Sequence, residues 1–327
     1  MKLLVTGGAG YVGSITTRLL VDAGHQVTVL DNLTRGFAAA VDPRAQLVTG
    51  SVHDAVILDA LLPGCDAVMH LAGYTEVGES QKYPERYFCN NVSRPLVMLE
   101  AMVRHGVDAL VFSSTAAVYG EPDTIPITEA TVKNPINAYG ASKLMFEQLL
   151  DWFGRLHGLR SIRFRYFNVA GAWPDGSLGE AHDPETHIIP RLLSALAQGR
   201  SKFEIYGADY PTPDGTCVRD YIHVLDLALA HQIALERLVQ GGECGVFNLG
   251  SGRGFSNLEV VRACADVTGR RVHIEMGSPR AGDPAMLVAS SDEARLVLGW
   301  RPRRAELRCM ISDAWEWHSS RPQGYGA

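Results

Sequence analysis

A tyrosine and a lysine four residues apart form the first pair whose types and spacing could do chemistry. Tyr139 and Lys143 occur in the run Tyr-Gly-Ala-Ser-Lys, inside a stretch whose apolar residues recur at helical spacing. Residues four apart share one face of a helix, so the phenol and the ammonium group are neighbours. Lowering the pKa of a phenol by ~3 units requires about 4 kcal/mol of extra stabilisation of the phenolate. Lys143 supplies part of it, which makes Tyr139 a candidate general base.

A hydroxyl at the end of a predicted strand can complete this site. Thr115 follows the apolar run Leu110–Ser113 and can hydrogen-bond the same substrate oxygen that Tyr139 deprotonates. The alternative is a surface tyrosine beside a solvated lysine, which would be preferred if the chain carried no further motif. Whether these residues, Thr115, Tyr139 and Lys143, are catalytic therefore depends on the other motifs of the sequence.

The amino-terminal segment carries a glycine-rich turn of the kind that binds a dinucleotide. A predicted strand runs directly into Gly7, Gly10 and Gly13 before a helical pattern begins. Such a turn lets backbone N–H groups approach a pyrophosphate, and the next helix presents its N-terminus to the negative charge. Because the motif stands at a strand–helix junction, it indicates dinucleotide binding more strongly than the glycine spacing alone would.

An acidic residue closes the second predicted strand, 21 residues beyond Gly10. A carboxylate at Asp31 can hold the 2′-hydroxyl of an adenosine ribose and repels a 2′-phosphate, so NAD is favoured over NADP. Leu71–Gly73 follows a further strand and is expected to border the same crevice. The alternative is that Asp31 only begins a polar loop, but its distance from the glycine turn favours the cofactor.

Short apolar strands alternate with amphipathic helices through the first half of the chain, which predicts βαβ units. The expected fold class is α/β, a Rossmann-like doubly wound parallel sheet with helices on both faces. The predicted strands are Leu3–Thr6, Val27–Leu30, Leu47–Thr49, Ala67–His70, Leu110–Ser113, Ser161–Tyr166 and Val246–Gly250. The predicted helices of this half are Tyr11–Ala23, Ala55–Leu62, Tyr87–His105 and Ala138–His157.

Glycine, proline and aspartate become dense after residue 168, as in long functional loops. We expect residues 1–168 to form the NAD-binding domain, with 220–250 returning to it. Residues 169–327 are expected to form a smaller C-terminal α/β substrate lobe over the carboxyl edge of the sheet. Its helical patterns fall at 189–198, 224–238, 257–268 and 292–298.

Charge and composition exclude several classes of function. Thirty Lys+Arg against 36 Asp+Glu give a net charge of −6, so there is no global attraction to nucleic acid or anionic membrane. No apolar run is long enough to cross a bilayer. The six cysteines form no C-x-x-C pair, which favours reduced thiols in the cytoplasm. His182 and His187 stand near carboxylates, but hydrogen-bonding roles are favoured there and no metal is expected.

Together these features resemble the extended short-chain dehydrogenase/reductase family and, within it, the UDP-glucose 4-epimerase (UDP-galactose 4-epimerase) group. The resemblance is carried by LVTGGAGYVGS, VGES, FSSTAAVYG, YGASKLMFEQ, RYFNVAGA, DYPTPDGTCVRDYIHVLDLA, FNLGSG and WEWHSSRPQGYGA. These stretches span essentially the whole chain. The block Asp209–Ala228 is far more specific than any glycine motif.

The resemblance implies roles for particular residues. Thr115, Tyr139 and Lys143 match the catalytic trio. The implied NAD-binding set is Gly7, Gly10, Tyr11, Val12, Gly13, Asp31, Asn32, Ser51, Val52, Leu71, Ala72, Gly73, Asn90, Tyr139, Lys143 and Phe167. The implied UDP-sugar set is Thr115, Tyr139, Asn168, His187, Ile188, Tyr206, Arg219, Arg280 and Asp283. Arg219 and Arg280 suit a diphosphate, although Arg219 could instead pair with Asp220.

The reaction implied by the resemblance is the 4-epimerisation of UDP-glucose or UDP-galactose. Tyr139 removes the proton of the sugar 4-hydroxyl, NAD takes a hydride from C4, and the hydride returns to the opposite face of a 4-keto sugar. Three alternatives stay open: a 4-epimerase of UDP-N-acetylhexosamines or UDP-uronates, a net oxidoreductase, and a non-catalytic NAD-binding regulator. Dehydratases of the family carry an Asp–Glu pair where this chain has Ala116 and Ala117, so dehydration is disfavoured.

Three positions depart from the pattern of the family. Ser51 stands where many relatives place an Asp against adenine, and Thr75 stands where some carry a Lys near the cofactor phosphates. The tightness of NAD retention is therefore open. Leu287 matches a position where Tyr accompanies plain hexoses and a small residue accompanies N-acetylhexosamines, so the sugar preference is open too.

A homodimer is expected as well. Many members of the family pair through two long helices into a four-helix bundle, and here these would be Tyr87–His105 and Ala138–His157. The apolar stripes of both helices permit this pairing, although one stripe must also cover the sheet.

Overall fold

A computed structural model describes residues 1–279 and 283–326. Its strands are β1 (Lys2–Thr6), β2 (Gln26–Asp31), β3 (Gln46–Thr49), β4 (Ala67–His70), β5 (Ala109–Ser113), β6 (Arg160–Tyr166), β7 (Asn168–Ala170), β8 (Lys202–Tyr206), β9 (Val218–His223), β10 (Gly245–Leu249), β11 (Gly254–Ser256), β12 (His273–Gly277) and β13 (Met286–Leu287).

The helices are α1 (Tyr11–Asp22), α2 (Ala55–Leu61), α3 (Val77–Lys82), α4 (Pro84–Phe88), α5 (Leu96–His105), α6 (Ala138–His157), α7 (Ile188–Ala197), α8 (Val224–Val239), α9 (Asn257–Thr268), α10 (Asp292–Val297) and α11 (Leu307–Ser320). Among the described helices, none combines the length and the apolar composition needed to cross a bilayer.

Seven parallel strands form the large sheet, in the order β10-β6-β5-β4-β1-β2-β3. Alternate residues of β1 serve opposite faces, as the pleat of a strand requires. Leu3 and Val5 pack in one buried cluster with α8, and Leu4 packs in the other with α5 and α6. Helices therefore cover both faces, and the predicted doubly wound α/β fold is confirmed.

A second group of elements lies beyond the carboxyl ends of these strands. Strand β9 pairs with β7, β11 and β13, while β8 pairs with β12 in a small ribbon. A separate core joins these strands to α7, α9 and α11. Between β9 and β11 the chain re-enters the large layer with α8, which packs in its core, and β10, which pairs with β6.

Local signals in the sequence fix the ends of the long helix α6. The Asn137 side chain accepts a hydrogen bond from the Gly140 N–H at 2.8 Å and so caps the first turn. Gly158 ends the helix with φ +72°, a left-handed conformation that suits glycine. The cap at Asn137 places Tyr139 in the first turn, next to the end of β5.

The predicted continuous helix Tyr87–His105 was wrong, because the structure divides it. A short helix ends at Phe88, a π-helical turn spans Cys89–Ser93, and α5 begins only at Leu96. Pro95 precedes α5, and a proline cannot donate the backbone hydrogen bond that an uninterrupted helix needs at this point. The widened turn presents Asn90 to one side and buries Asn91 on the other.

A buried ion pair joins α6 to strand β6. Both nitrogens of the Arg165 fork reach the Glu147 carboxylate, at 2.9 and 2.5 Å, and each side chain is 4% exposed. Ser114 also donates to Glu147, and Arg165 donates to the Tyr119 hydroxyl. Bidentate geometry with every partner satisfied is the condition under which two buried charges are tolerated.

Replacing Glu147→Gln should therefore destabilise the fold strongly. The change leaves Arg165 buried and without its counter-charge, which typically costs about 3–5 kcal/mol of the free energy of unfolding. The matched control is Asp59→Asn, which breaks an exposed ion pair with Arg104 and should leave the urea midpoint almost unchanged. Equal urea midpoints for both variants would contradict the structural role of the buried pair.

Candidate active site

A cavity of about 1130 Å³ lies between the carboxyl edge of the large sheet and the small group of elements. Nearly all the residues singled out in the sequence line it. They are Gly7, Gly10, Tyr11, Val12, Gly13, Asp31, Asn32, Ser51, Val52, Leu71, Ala72, Gly73, Asn90, Thr115, Tyr139, Phe167, Asn168, His187, Ile188, Tyr206, Arg219 and Asp283. Leu287 and Thr75 also line it.

Two residues of the predicted site stand apart from this set. Lys143 lies beneath the wall of the cavity, with 3% of its surface exposed. Arg280 lies outside the described residues.

The glycine turn fits closely against its neighbours. Gly7 has φ +75°, and a Cβ there would meet the Ala72 backbone at 2.5 Å. A Cβ at Gly13 would collide with the carbonyl oxygen of Gly7. These contacts explain why both positions are glycine. The backbone of the turn faces the cavity ahead of α1.

Asp31 is the last residue of β2, and its carboxylate holds the start of the loop that follows. One carboxylate oxygen accepts a hydrogen bond from the Ala9 N–H at 3.0 Å, and the other accepts one from the Leu33 N–H at 2.9 Å. Asp31 therefore ties the glycine turn to the second strand. Each carboxylate oxygen has a second lone pair, so the group can also accept from a ribose hydroxyl in the cavity.

Tyr139 lies at the floor of the cavity beside Thr115. Burial raises the pKa of the Tyr139 phenol well above its ordinary value, the nearby Tyr166 raises it further, and a hydrogen bond with Thr115 acts in the opposite direction. Thr115 also accepts from the Ala117 N–H at 3.1 Å, which fixes its position after β5. The phenol is a weak acid in this setting, and a cation beside it would favour its ionisation.

Lys143 is a buried cation on the same helix, one turn after Tyr139. Its ammonium group donates to the carbonyl oxygen of Ser113 at 2.9 Å, at the end of β5. Burial lowers the pKa of Lys143 to about 8, while the negative charge of Glu147 one helical turn further acts to raise it. Glu147 thus favours the charged form of Lys143.

A buried asparagine connects the loop after β4 with helix α6, and the sequence reasoning missed it. The Asn91 side chain accepts from the Tyr74 N–H at 2.8 Å and donates to the Tyr74 carbonyl at 3.0 Å. It also donates to the Ser142 hydroxyl, which in turn donates to the Tyr139 carbonyl. The signal for Asn91 in the sequence was Pro95, which marks the break that turns the asparagine inward.

Charged side chains line the opposite wall of the cavity. Arg219 pairs with Asp283 at 2.9 Å, so the alternative pairing with Asp220 is wrong. Asp220 instead accepts hydrogen bonds from the backbone of Ser251, Gly252 and Ala289. The guanidinium of Arg219 is held at the cavity by a carboxylate and keeps donors for an anionic ligand.

His187 stands at the start of α7 within a group of carboxylates. Burial acts to lower the pKa of His187, but Glu180 and Glu185 outweigh it and raise that pKa to about 10. His182 is affected in the same way, with its pKa raised to about 9. The sequence pointed to both histidines but not to Glu180, whose contribution depends on the folding of the loop.

Comparison with known proteins matches this arrangement to one family. A sequence model of the NAD dependent epimerase/dehydratase family matches residues 3–250. The chain belongs to this family. It is 48% identical to a UDP-glucose 4-epimerase of Lacticaseibacillus casei, over all of this chain and 99% of that relative. The resemblance to UDP-glucose 4-epimerases that the sequence motifs indicated is confirmed.

Solved structures of the family share the fold along the full chain. One crystal structure of a UDP-glucose 4-epimerase is 46% identical and superposes with a TM-score of 0.97, covering 100% of both chains. The enzyme of Bifidobacterium longum, solved in complex with NAD+ and UDP, is 34% identical with a TM-score of 0.93, covering 99% of this chain and 100% of that one.

The buried lysine predicts a pH dependence of stability that Lys143→Met abolishes. Because the pKa of Lys143 is lowered in the folded state, the unfolded chain binds more protons between about pH 8 and about pH 10.5. The wild type should therefore gain stability over Lys143→Met across this window, by about 3 kcal/mol from the size of the shift. Urea unfolding of both proteins at the two ends of the window measures the difference.

The matched control is Lys133→Met, which removes an exposed lysine. Its difference from the wild type should stay the same at both pH values. A wild-type advantage over Lys143→Met that is constant or falls with rising pH would contradict the burial of a charged Lys143.

Proposed function

We propose that this chain catalyses the NAD-dependent 4-epimerisation of a UDP-hexose, UDP-glucose or UDP-galactose. The observation that carries the proposal is the position of Tyr139 and Thr115 at the meeting point of two walls. One wall is the glycine turn with Asp31, and the other holds Arg219, Asp283 and the nucleotide-facing end of the small lobe.

The residues on the first wall fit NAD. The backbone of the glycine turn lies open to the cavity, and a Cβ at Gly7 would fill the space against Ala72. The start of α1 faces the same space and suits a pyrophosphate. Asp31 favours a free ribose hydroxyl over a 2′-phosphate. The chemistry that NAD supplies when bound is reversible hydride transfer at C4 of the sugar.

Side chains of the protein accept the proton of the sugar hydroxyl and orient the sugar. Tyr139 takes the proton of the 4-hydroxyl, and Thr115 hydrogen-bonds the same oxygen and holds it in line. Lys143 is anchored on the Ser113 carbonyl one turn along the helix, where its charge favours the phenolate. Ala116 and Ala117 offer no acid, so a C6 hydroxyl cannot be expelled as water.

The residues on the second wall hold the nucleotide while the sugar turns. We assign the diphosphate to Arg219 and His187, and the uridine ribose to Asp283, with Asn168, Ile188 and Tyr206 beside them. Arg280, which lies outside the described residues, is assigned to the diphosphate as well. An anchored nucleotide and a roomy sugar region are what a reaction on both faces of C4 requires. Leu287 borders the cavity at the assigned sugar gate.

The division of labour follows the two groups of elements. Residues 1–168, with the returning segment within 220–250, hold NAD, and residues 169–327 bind the UDP-sugar.

The six cysteines are all unpaired in the structure, which supports a reducing compartment, the cytoplasm.

The test follows UDP-galactose by NMR with the purified chain and no added NAD. Conversion to UDP-glucose without accumulation of NADH is expected, and parallel tubes with UDP-N-acetylgalactosamine and UDP-galacturonate define the sugar preference. Tyr139→Phe should lower kcat by about 10²–10⁴-fold, because the general base is lost. Tyr83→Phe, which alters an exposed tyrosine, is the control and should keep full activity.

Two results would overturn the proposal. Stoichiometric release of NADH would indicate a net oxidoreductase. No conversion of any of the three sugars even with NAD added would exclude a 4-epimerase of these substrates. Conversion only after NAD is added would keep the reaction and show weak retention, in line with Ser51 and Thr75.

We also propose a homodimer that pairs through α5 and α6. Met145, Trp152 and Leu156 are 46%, 56% and 69% exposed along one side of α6, at the spacing of a helical stripe. Val103 on α5 adds to the exposed apolar surface, and both helices pack on the same face of the sheet. A contiguous apolar stripe on two neighbouring helices is typical of a helix-bundle interface.

Adding charge to this stripe should separate the dimer. Trp152→Glu combined with Leu156→Glu places two carboxylates in the proposed interface and should yield particles with the mass of one chain. Light scattering coupled to size-exclusion chromatography measures the mass. Leu296→Glu is the control, because that leucine is 82% exposed on α10 and away from the stripe. A wild type that already has the mass of one chain would contradict the proposal.

A further inference from the structure

Four side chains with metal-binding atoms converge in the loop between β7 and α7. They are Glu180, His182, Glu185 and His187, and one ligand atom of each lies within 4.8 Å of the others. The Glu180 side chain is 6% exposed and that of Glu185 is 16% exposed, so the carboxylates form the buried side of the group. We call these four residues the His2Glu2 cluster.

The two histidines direct the same kind of atom inward. His187 Nδ1 lies 2.8 Å from Glu180 Oε1 and 3.3 Å from Glu185 Oε1. His182 Nδ1 lies 3.1 Å from Glu180 Oε1 and 3.4 Å from Glu185 Oε2. Each imidazole therefore faces both carboxylates with one nitrogen.

Hydrogen bonds alone do not explain why the two imidazoles and the two carboxylates converge. There are four short nitrogen–oxygen separations, but each Nδ1 carries at most one hydrogen, so two N–H groups would have to be shared among four contacts. Shared hydrogen bonds are weaker than linear ones. A single cation at the centre would satisfy all four ligand atoms at once.

The dimensions suit a tetrahedral ion. Metal–ligand distances of about 2.0–2.2 Å to histidine nitrogen and carboxylate oxygen give tetrahedral edges of about 3.3–3.6 Å. The four separations in the cluster run from 2.8 to 3.4 Å. Around an ion, the 2.8 Å separation would lengthen by about 0.5–0.8 Å and the other nitrogen–oxygen separations by about 0.5 Å or less, with Glu185 turned so that one of its two oxygens serves the ion.

We propose that the His2Glu2 cluster binds one divalent transition-metal ion, Zn²⁺ or one of similar preference. Imidazole nitrogen combined with carboxylate suits zinc, whereas magnesium and calcium prefer oxygen ligands alone. In the ion-free protein the carboxylates favour protonated imidazoles. When an ion displaces the two Nδ1 protons, the two neutral imidazoles and two carboxylates carry a charge of −2, which a divalent ion neutralises in a partly buried place. Four protein ligands fill the coordination sphere, as in a structural zinc site.

Contacts around the cluster hold its loop in place. The Glu180 carbonyl accepts a hydrogen bond from the Trp317 indole at 2.9 Å, and the Arg35 guanidinium donates to the Asp183 carbonyl at 2.5 Å. Arg35 also pairs with Glu76 at 3.1 Å, which joins the loop to the opposite rim of the cavity. An ion in the cluster would lock this connection between the two rims.

The ion would also set the state of His187. A metal on Nδ1 leaves the proton on Nε2, so the ring becomes a hydrogen-bond donor with a fixed tautomer. This consequence rests on the proposed function, in which His187 donates to a diphosphate. The binding of the metal itself does not rest on it.

A second group of ligating atoms is the rival for added zinc. His223, Cys309 and Asp313 also lie close together. There His223 Nδ1 accepts from the Leu225 N–H, and Arg304 pairs with Asp313 at 2.8 Å. Those partners already satisfy the histidine and the carboxylate, so the His2Glu2 cluster is the better site.

The test titrates chelator-treated protein, without NAD or substrate, with ZnCl₂ in a calorimeter. One equivalent should bind, and His182→Gln and Glu185→Gln should each weaken the affinity at least about 100-fold, since outer-shell changes alone cost up to that factor. Cys309→Ser and His273→Gln, an exposed histidine, are the controls and should bind like the wild type. Zinc K-edge spectroscopy should show nitrogen and oxygen neighbours only. Circular dichroism without zinc confirms that the variants are folded.

Each contrary result overturns the proposal. Loss of binding in Cys309→Ser, or sulfur in the zinc shell, would place the ion at the rival group. Equal affinity of the wild type and His182→Gln would exclude the His2Glu2 cluster, as would the absence of stoichiometric binding. Because no turnover is measured, these outcomes are independent of the epimerase test.

Discussion

A buried ammonium group at the end of β5 is the interaction on which the site depends. Lys143 lies between Tyr139 and Glu147 on the same face of α6, four residues after the tyrosine and four before the glutamate. Burial lowers the pKa of Lys143, and Glu147 offsets part of that effect. Arg165 then balances Glu147, and it reaches α6 from strand β6. Lys143, the proposed partner of Tyr139, is thus supported by a series of charged groups that ends at Arg165 in the large sheet.

The architecture explains why these groups meet where they do. The large sheet is parallel, so the carboxyl ends of its strands face one edge, and there the glycine turn, Asp31 and Thr115 line the same cavity. The chain covers that edge with the lobe built on β9, whose Arg219 faces the same cavity. Such a cleft can accommodate a dinucleotide on one side and a nucleotide diphosphate on the other. Asn91 joins the loop at Tyr74 to α6 through hydrogen bonds to the Tyr74 backbone and the Ser142 hydroxyl.

Much of this arrangement could be predicted from local sequence. The glycine turn, the cap at Asn137 and the apolar periods of α1 and α6 are short-range signals, and the elements appear within a residue or two of their predicted bounds. The break within the predicted helix Tyr87–His105 was missed because apolar periodicity outweighed the signal of Pro95. The pairings Glu147–Arg165 and Arg219–Asp283 could not be predicted, since they join residues 18 and 64 positions apart. Such contacts depend on how strands are ordered in space, which spacing along the chain does not specify.

The order in which two protons leave links the catalytic pair to the cofactor. In the protein alone, Lys143 has a pKa of about 8, whereas burial raises that of Tyr139 well above its ordinary value. On rising pH the lysine would therefore lose its proton before the phenol does, and Tyr139 would lose its supporting cation. When bound, the positively charged ring of oxidised NAD would add a second charge that favours the phenolate of Tyr139. Tyr139 would then serve as a base when the oxidised cofactor is present, which is also the form that accepts the hydride of the substrate.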